Sequence, residues 1–397
     1  NIRNIPNLRF KGYNDEWKHY KLKDIVRIYD GTHQTPNYMN NGIKFVSVEN
    51  IHNIEKTNKY ISINDYNKDF KIKPEINDVL MTRIGDIGTP AIINTNEKYA
   101  YYVSLALIKS NPEVLFPQFF VQRILSEHFQ NELWKRTLHV AFPKKINKNE
   151  IGECNVFICS KSEQEKIASF LTLFDKKIEK QKELVELLKK YKRGLLSSIF
   201  SQKLRFKDDN GNDYPAWEEK RLGSICKTFS GGTPSVTNSE YYNGEIPFIK
   251  SGEIHSDRTE IFITVEGLEN SSAKLVNKGD LLYALYGATS GEVDISKIDG
   301  AINQAILCVK SDTLNLNYLK ELLSYNKNRI LCKYLQGGQG NLSADIFKAL
   351  KFYIPIKEEQ NKISDLLISY DKTIKIEEHL LNYYVSYKQG LLQQLFI

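Results

Sequence analysis

Two glycine-rich segments are the nearest approach in this sequence to a phosphate-binding loop. They are GATSGEVD at 287–294 and GGQGNLS at 337–343. A Walker A loop has the pattern G-x-x-x-x-G-K-[ST], because its lysine and backbone amides cradle the phosphates of a nucleotide. Both segments lack the lysine, so the sequence does not indicate nucleotide hydrolysis.

Residues that could hold a metal or a cofactor show no suitable spacing. There is no H-E-x-x-H, and the seven histidines and five cysteines form no ligand pattern. Cys154 and Cys159 would point to opposite faces of a strand, which argues against a shared metal. The segment Asn111-Pro112-Glu113 does not match the N-P-P-Y type of loop that adenine methylation requires. We therefore expect neither a metal nor a cofactor in this chain.

Two aspartates precede similar hydrophobic runs, Asp78 in DVLMTRIG and Asp280 in DLLYALYG. Each could be a catalytic carboxylate or the cap of a turn that leads into a strand. The position between a turn and a strand favours the cap. Binding then remains as the more promising class of function.

Composition indicates an ordinary protein of aqueous surroundings. The 397 residues are 41% hydrophobic and 26% charged, with no apolar run of about 18 residues that could span a membrane. The polar amino end lacks the apolar core of a signal peptide, so we expect a cytoplasmic protein without membrane contact. A net charge of +7 is compatible with a polyanionic partner.

An internal repeat organises the chain. Residues 163–200 and 359–396 are identical at 15 of 38 positions, at an offset of 196. Apolar residues in both copies follow alternating steps of four and three, which predicts a heptad seam on a helix of about 57 Å. The seam positions are Ile167, Leu171, Phe174, Ile178, Val185, Leu188, Leu195 and Ile199 in the first copy and Ile363, Leu367, Tyr370, Ile374, Leu381, Tyr384, Leu391 and Leu395 in the second.

The seam is interrupted at the same places in both copies: Gln181 faces Glu377, and Lys192 faces Lys388. Each of these residues is either a solvated side chain at the helix edge or one that fixes the register or receives a partner. Gly194 and Gly390 each cost about 1 kcal/mol relative to alanine inside a helix. They indicate either a close backbone approach or a break in the helix.

The repeat also covers the segments that precede the helices. Leu8-Arg9-Phe10 recurs as Leu204-Arg205-Phe206, GTHQTP at 31–36 faces GGTP at 231–234, and NGIKFVSVENI at 41–51 faces NGEIPFIKSGEI at 243–254. Short β-rich runs come first and helices follow, at 119–136 and 318–335. This predicts α/β heads plus long helices: two α/β domains separated by an antiparallel two-helix coiled coil, as a pseudo-twofold internal repeat. The two ends of the chain should then lie side by side.

These paired elements resemble, in their order and over nearly the whole length, the specificity (S) subunit of type I restriction-modification systems. The features that carry the resemblance are the G-x-T-P-like openings, the strands followed by ENI or GEI, the GDLLYALYGATSG block, and the LRF and K-x-G-L-L elements around the helices. Head one departs from the pattern, with GTHQTP instead of GGTP and no proline in FICSKSEQ.

The resemblance implies a subunit without catalysis that reads a split, asymmetric sequence in double-stranded DNA. It implies target recognition domains at 1–158 and 204–355, and spacer helices at 159–203 and 356–397. Two methyltransferase subunits and two motor-nuclease subunits are the implied partners; S-adenosylmethionine, ATP and Mg²⁺ would belong to them. The alternatives are a self-contained methyltransferase or nuclease, and an adapter whose heads bind proteins.

DNA contacts require multi-donor side chains for bases and Lys, Arg, Ser or Thr for phosphates, all on exposed loops. Arg83 and Tyr286 occupy similar positions after the two Asp-led strands. Gln339 and Asn341 lie in a glycine-rich loop that either approaches a groove or is simply a mobile turn. The predicted DNA-binding residues are Thr32, His33, Gln34, Lys44, Ser47, Arg83, Lys144 and Lys145 in head one, and Thr233, Ser235, Lys250, Ser251, Arg258, Tyr286, Gln339 and Asn341 in head two.

Overall fold

The computed structural model describes residues 4–335 and 341–397, without the side chain of Leu335. Its contacts divide the chain into two compact units. Unit 1 comprises residues 1–183 and 378–397, and unit 2 comprises residues 184–377.

Unit 1 contains two sheets and a strand pair. An antiparallel sheet has the order β2-β8-β5-β6, a smaller sheet has the order β4-β3-β7 with β3 parallel to β7, and β1 pairs with β9. The strands are β1 (Lys18–Lys21), β2 (Val26–Asp30), β3 (Ile43–Val46), β4 (Tyr60–Ile61), β5 (Val79–Ile84), β6 (Asp86–Ile92), β7 (Tyr99–Tyr101), β8 (Leu105–Ser110) and β9 (Asn155–Ile158).

Unit 2 repeats this plan. Its sheets have the orders β11-β18-β15-β16 and β13-β12-β17-β14, with β12 parallel to β17, and β10 pairs with β19. The strands are β10 (Glu218–Arg221), β11 (Lys227–Ser230), β12 (Tyr242–Ile249), β13 (Phe262–Ile263), β14 (Lys274–Val276), β15 (Leu281–Ala284), β16 (Val293–Ile295), β17 (Gly300–Ile302), β18 (Ile306–Lys310) and β19 (Lys351–Ile354). The common plan predicted from the sequence is confirmed, and β14 is an addition of unit 2.

The longer helices of each unit come after most of its strands, as the sequence predicts, whereas short helices also lie between strands. Residues 119–136, predicted as one helix, form two, because the Ser126 side chain accepts a hydrogen bond from Phe129 N and caps a new helix. The α-helices are α1 (Ile63–Asp69), α2 (Pro117–Ile124), α3 (Glu127–Arg136), α4 (Lys148–Gly152), α5 (Lys161–Phe200), α6 (Leu222–Ile225), α7 (Val265–Glu269), α8 (Leu316–Leu335), α9 (Ala344–Ala349) and α10 (Lys357–Leu395). Short 3-10 helices lie at Leu22–Asp24, Val48–Lys56, Ser239–Tyr241 and Ser251–Glu253.

The long helices α5 and α10 have 40 and 39 residues, and each contributes to both units. All sixteen predicted seam residues are buried or half-buried. In unit 1 the two helices run antiparallel: Phe174 contacts Tyr387, with ring centroids 5.6 Å apart, and Lys177 Nζ lies 4.2 Å from the centroid of the Tyr384 ring. In unit 2 the residues equivalent to the first pair, Tyr370 and Tyr191, are also 5.6 Å apart.

Both lysines that interrupt the seam form ion pairs between the helices. In unit 1 Lys388 Nζ donates to the carboxylate of Asp175. In unit 2 Lys192 Nζ lies 2.7 Å from Asp371 Oδ1. The lysines and the aspartates occupy equivalent positions of the repeat, so the interpretation that these lysines fix the register is supported.

The two glycines inside the long helices match neither predicted role. Gly194 and Gly390 lie inside continuous helices, and apart from the adjoining residues and the helix's own backbone no described atom would come within 4 Å of a Cβ added at either position. Their positions are open, so they neither break the helix nor permit a close approach among the described residues.

Each long helix is joined to its head by an arginine–glutamate pair, at equivalent positions in the two units. In unit 1 Arg9 of the LRF element binds Glu163 through two hydrogen bonds of 2.7 and 2.8 Å. In unit 2 Arg205 binds Glu359 through bonds of 2.9 and 2.7 Å. The next residue, Gln164 or Gln360, accepts a 2.8 Å hydrogen bond from the backbone ahead of α2 or α8.

The segments near the two ends of the chain meet within unit 1. Leu8 N donates to Gln394 O at 2.9 Å, and the rings of Trp17 and Phe396 are 6.2 Å apart. The predicted proximity of the ends is confirmed.

Candidate nucleic-acid interface

In unit 1 several predicted residues meet where β2 and β5 end. Thr32 follows β2; its N donates to Tyr101 O at 3.2 Å and its O accepts from Val103 N at 2.9 Å. Thr32 Oγ1 also accepts a 3.3 Å hydrogen bond from Gln34 N, which bends the loop. The side chains of His33 and Gln34 are exposed beside it. These residues can offer donors and acceptors to a ligand.

The loop 138–145 is attached to the end of β5. Gly85 N donates to Lys144 O at 2.8 Å, and Ile146 N donates to Arg83 O at 3.0 Å. Lys144 and Lys145 are exposed, and no ion-pair partner within the described residues is seen for either. The fold therefore brings two cationic side chains to the edge that carries the Thr32 loop.

Two residues predicted near this edge are buried. Arg83 is 7% exposed, and its Nη1 donates to the carboxylate of Asp30, which also lies 3.6 Å from Lys148 Nζ. Ser47 is 8% exposed, and its N donates to Asn50 Oδ1 at 2.8 Å. Both residues support the local structure here, and a ligand does not reach their side chains without a rearrangement.

Lys44 lies apart from the other predicted residues of unit 1. It is on β3 next to Tyr99 of β7, and its Nζ binds Glu97 Oε2 at 2.6 Å. The hydrogen bond to Glu97 raises the pKa of Lys44 and lowers that of Glu97. Contact between Lys44 and a phosphate would have to compete with this pair.

In unit 2 three side chains meet at the corresponding edge. Thr233 Oγ1 donates to Gln304 Oε1 at 2.7 Å, and Gln304 also lies near the Tyr286 hydroxyl. Burial raises the pKa of Tyr286, so its hydroxyl is neutral and available as a donor at neutral pH. The three side chains form a hydrogen-bonding surface for a polar ligand.

The structure places five further predicted residues of unit 2 on three separate connections: Ser235 after β11, then Lys250, Ser251 and Arg258 between β12 and β13, and Asn341 before α9. Ser235 lies 2.8 Å from Thr237 across their hydroxyl oxygens, and Lys250 and Ser251 follow β12 and are half-buried. Arg258 is exposed on the loop before β13, and Asn341 is exposed before α9. Gln339 lies outside the described residues.

Some residues at these edges were missed from the sequence. Gln304 directly precedes the apolar run AILCV at 305–309, and it lies outside β18, which begins at Ile306. The polar residue ahead of an apolar run was the available signal. Val140 and Phe142 were also missed; both are almost completely exposed on the loop 138–145, and their apolar type had given no reason to expect exposure.

The residues with conventional catalytic chemistry have structural partners. Asp78 Oδ2 accepts from Glu75 N at 2.7 Å, and Asp280 Oδ2 accepts from Asn277 N at 2.9 Å. The prediction that both aspartates cap turns is confirmed. Burial raises the pKa of the Cys154 thiol to about 12, so it stays protonated at neutral pH.

Two further features are absent from residues 4–335 and 341–397. No group of three or more His, Cys, Asp or Glu side chains is arranged to hold a metal ion. No helix there is both long and apolar enough to cross a membrane.

Known proteins share this organisation. A family model described as the type I restriction modification DNA specificity domain matches residues 14–189 and again 215–383. The MjaIX specificity subunit of Methanocaldococcus jannaschii, a type I restriction enzyme subunit, is 25% identical over 308 residues, which are 71% of this chain and 68% of that protein. The HindI specificity subunit of Haemophilus influenzae is 22% identical over 427 residues, covering 86% and 90%.

A solved structure has the same fold. It is the S subunit of a type I restriction-modification system from M. genitalium, which aligns over 99% of both chains with a TM-score of 0.62 and 15% identity. The family model covers well over half of this chain and matches it twice, in agreement with the repeated plan of the two units. This chain therefore belongs to the family of type I restriction-modification DNA specificity proteins.

Proposed function

We propose that this chain recognises a split, asymmetric sequence in double-stranded DNA, with each unit reading one block of it. Residues 1–158 and 204–355 are the two recognition domains in this proposal. Residues 159–203 and 356–397 form the helical spacer that sets the number of base pairs between the blocks. Heads that read one face of a duplex lie about 34 Å apart or at a multiple of that distance.

The observation that carries the proposal is that the two units share one fold but present different side chains at the corresponding edge of the sheet. Apart from the added β14, both units have the same sheet orders, and both have the same Arg–Glu joint between head and helix. At the corresponding edges, however, unit 1 offers His33, Gln34 and two lysines, whereas unit 2 offers Thr233 and Gln304. A different set of donors and acceptors on each frame is what two different base sequences require.

The exposed polar residues, which include Gln304 in addition to the predicted set, divide by chemistry into two kinds of contact. Gln34, His33, Gln304 and Asn341 can pair with base edges, because amide and imidazole groups both donate and accept hydrogen bonds. Lys144, Lys145 and Arg258 serve the phosphates, whose contacts position the protein on the duplex. A second group of side chains supports these contacts: Thr32, Thr233, Ser235, Lys250, Ser251 and Tyr286. The other members of the predicted set are given no separate contact in this proposal; they are Lys44, Ser47, Arg83 and Gln339.

Catalysis in this proposal belongs to other subunits. Two methyltransferase subunits dock on the long helices and supply S-adenosylmethionine chemistry, and two motor-nuclease subunits use ATP and Mg²⁺. The names of the relatives, which call them specificity subunits of restriction enzymes, support this division. The absence from the sequence of a Walker A loop and of an N-P-P-Y loop agrees with it.

A map of methylated bases tests the proposal. The chain is expressed with its methyltransferase partner in a host without DNA modification, and the genome is sequenced by a single-molecule method that detects methylated adenine. We expect one motif with two defined blocks and a fixed gap. A soluble complex that leaves the genome unmethylated and binds no duplex sequence-specifically would contradict the proposal.

A further inference from the structure

The loop 138–145 of unit 1 combines a fixed base with an exposed apolar tip. At the base, Leu138 N donates to Lys145 O at 2.8 Å, and Gly85 N donates to Lys144 O at the same distance. At the tip, Val140 is 98% exposed and the Phe142 side chain is entirely exposed. The hydrogen bonds hold the base of the loop against β5 while two apolar side chains face solvent.

Aromatic side chains extend this apolar surface toward the base of the loop. Trp134, at the end of α3, is 65% exposed, and its ring lies 4.5 Å from the ring of His139. The His139 Nε2 lies 2.9 Å from the carbonyl oxygen of Trp134, which fixes the ring pair to the helix. A contiguous exposed patch of large apolar side chains marks an interaction site.

Charge identifies the partner of this patch. Lys144 and Lys145 follow the tip, are exposed, and have no ion-pair partner within the described residues. Protein interfaces are depleted in lysine relative to the rest of the surface. DNA suits both parts of the loop, because its phosphates attract lysines and its stacked bases accept an inserted apolar side chain.

We propose that the loop 138–145 is a wedge, in which Phe142 enters a base step of the DNA block read by unit 1. Val140 packs beside it, and Lys144 and Lys145 bind phosphates that flank the step. The wedge rests on the proposed function, since it needs unit 1 on its DNA block. Insertion of an apolar side chain partly unstacks the two base pairs and bends the duplex.

The sequence of unit 2 has no apolar side chain in the segment that corresponds to the wedge. Its corresponding segment begins after α8, and Leu342 N donates to Leu285 O at 2.9 Å as Ile146 N donates to Arg83 O in unit 1. Residues 336–341 of that segment are QGGQGN, without an apolar side chain. The proposal therefore restricts the distortion to one of the two DNA blocks.

The test uses the complex of the full chain with its methyltransferase subunits. Duplexes carry the motif from the methylation map, with 2-aminopurine placed in turn at each position of both blocks. Fluorescence of this base rises when it is unstacked. We expect a rise at one step of a single block, its loss in Phe142→Ala, partial retention in Phe142→Leu, and about tenfold weaker binding by Phe142→Ala.

Val236→Ala is the matched control. Val236 is 78% exposed on the loop after β11 of unit 2, and its truncation removes an exposed apolar side chain outside the wedge. We expect this variant to keep both the fluorescence rise and the affinity.

Two results would overturn the wedge while leaving the proposed function intact. One is specific binding by Phe142→Ala with unchanged fluorescence and affinity. The other is failure of Phe142→Ala to assemble with the methyltransferase subunits, with native stability of the chain itself, which would make the loop a protein contact. Lack of specific binding by the unaltered complex would instead contradict the proposed function.

Discussion

Lys192 Nζ lies 2.7 Å from Asp371 Oδ1, 179 positions later in the chain, and the equivalent residues Lys388 and Asp175 form the same pair in unit 1. The lysine side chains are 15% and 9% exposed, so each ammonium group is largely removed from water, whereas the paired aspartates are 41% and 43% exposed. A misaligned pair of helices would leave these charges unpaired. The two ion pairs therefore specify the register of α5 against α10.

Removal of one seam lysine should destabilise unit 2. We expect Lys192→Met to lower the free energy of unfolding by about 2 kcal/mol, because Asp371 and the buried Glu321 both lose a charged donor. Urea denaturation followed by circular dichroism measures this change. Lys190→Met, at an exposed position of the same helix, is the control. Equal stability of the two variants would show that the pair does not contribute.

The glutamate at the start of α10 should matter more than its neighbour. Glu359 is completely buried and accepts hydrogen bonds from Arg205 and from Trp217 Nε1. Its neutralisation in Glu359→Gln leaves Arg205 without its charged partner and should cost about 2–4 kcal/mol. The exposed Glu358→Gln makes the same change of charge one residue earlier and should cost less than about 0.5 kcal/mol. If thermal unfolding showed comparable losses of stability in the two variants, the Arg205–Glu359 pair would not be what joins the helix to its head.

The head helices α2 and α8 differ in charge beside the lysine–aspartate pairs of the long helices. Glu321 of α8 binds both Lys192, at 3.0 Å, and Lys320, at 3.0 Å. At the corresponding positions α2 has Gln122, which donates to Asp175 Oδ2 at 2.7 Å, and Val121. Unit 2 thus adds a carboxylate together with the second lysine that balances it.

This difference predicts a coupling between two substitutions in unit 1. Gln122→Glu alone should destabilise unit 1 by about 1 kcal/mol, because it places a second carboxylate beside Asp175. Addition of Val121→Lys should recover most of the loss. A double-mutant cycle by urea denaturation measures the coupling, and strictly additive effects would show that the added lysine does not reach the carboxylates.

The two lysines of the loop 138–145 should control the salt dependence of DNA binding. Each lysine that neutralises a phosphate adds about 0.9 to the slope of log affinity against log salt concentration. Lys144→Ala and Lys145→Ala should each reduce the slope by about 1 and weaken binding to all sequences alike. Fluorescence anisotropy at several salt concentrations measures both effects. Lys44→Ala, whose lysine is paired with Glu97, should leave the slope almost unchanged.

Gln304 should instead affect sequence preference. If its amide pairs with a base edge, Gln304→Ala should relax one position in one block of the motif, with about 1–3 kcal/mol of lost discrimination. The sequence preference in the other block should not change, because unit 1 reads that block. Competition binding with single-base variants of the target measures this, and a uniform loss of affinity would assign Gln304 to a structural role.

Local patterns in the sequence were sufficient for the repeated architecture. The heptad spacing of α5 and α10 reports burial directly, because side chains three and four apart share one face of a helix. The strands were indicated by a different signal, short β-rich runs between turn residues. The break at Ser126 was missed, because the apolar pattern continues through it while the serine side chain caps a new helix.

The sequence by itself determined the two repeated units, the long helices and the family resemblance, since each depends on periodicity or on order along the chain. Only the tertiary structure decided the partners of Lys192 and Arg83 and the exposure of Phe142. Those outcomes depend on residues far away in the chain. Arg83 is buried because Asp30 on another strand receives its charge, and Phe142 is exposed because the hydrogen bonds of its loop hold it away from the core.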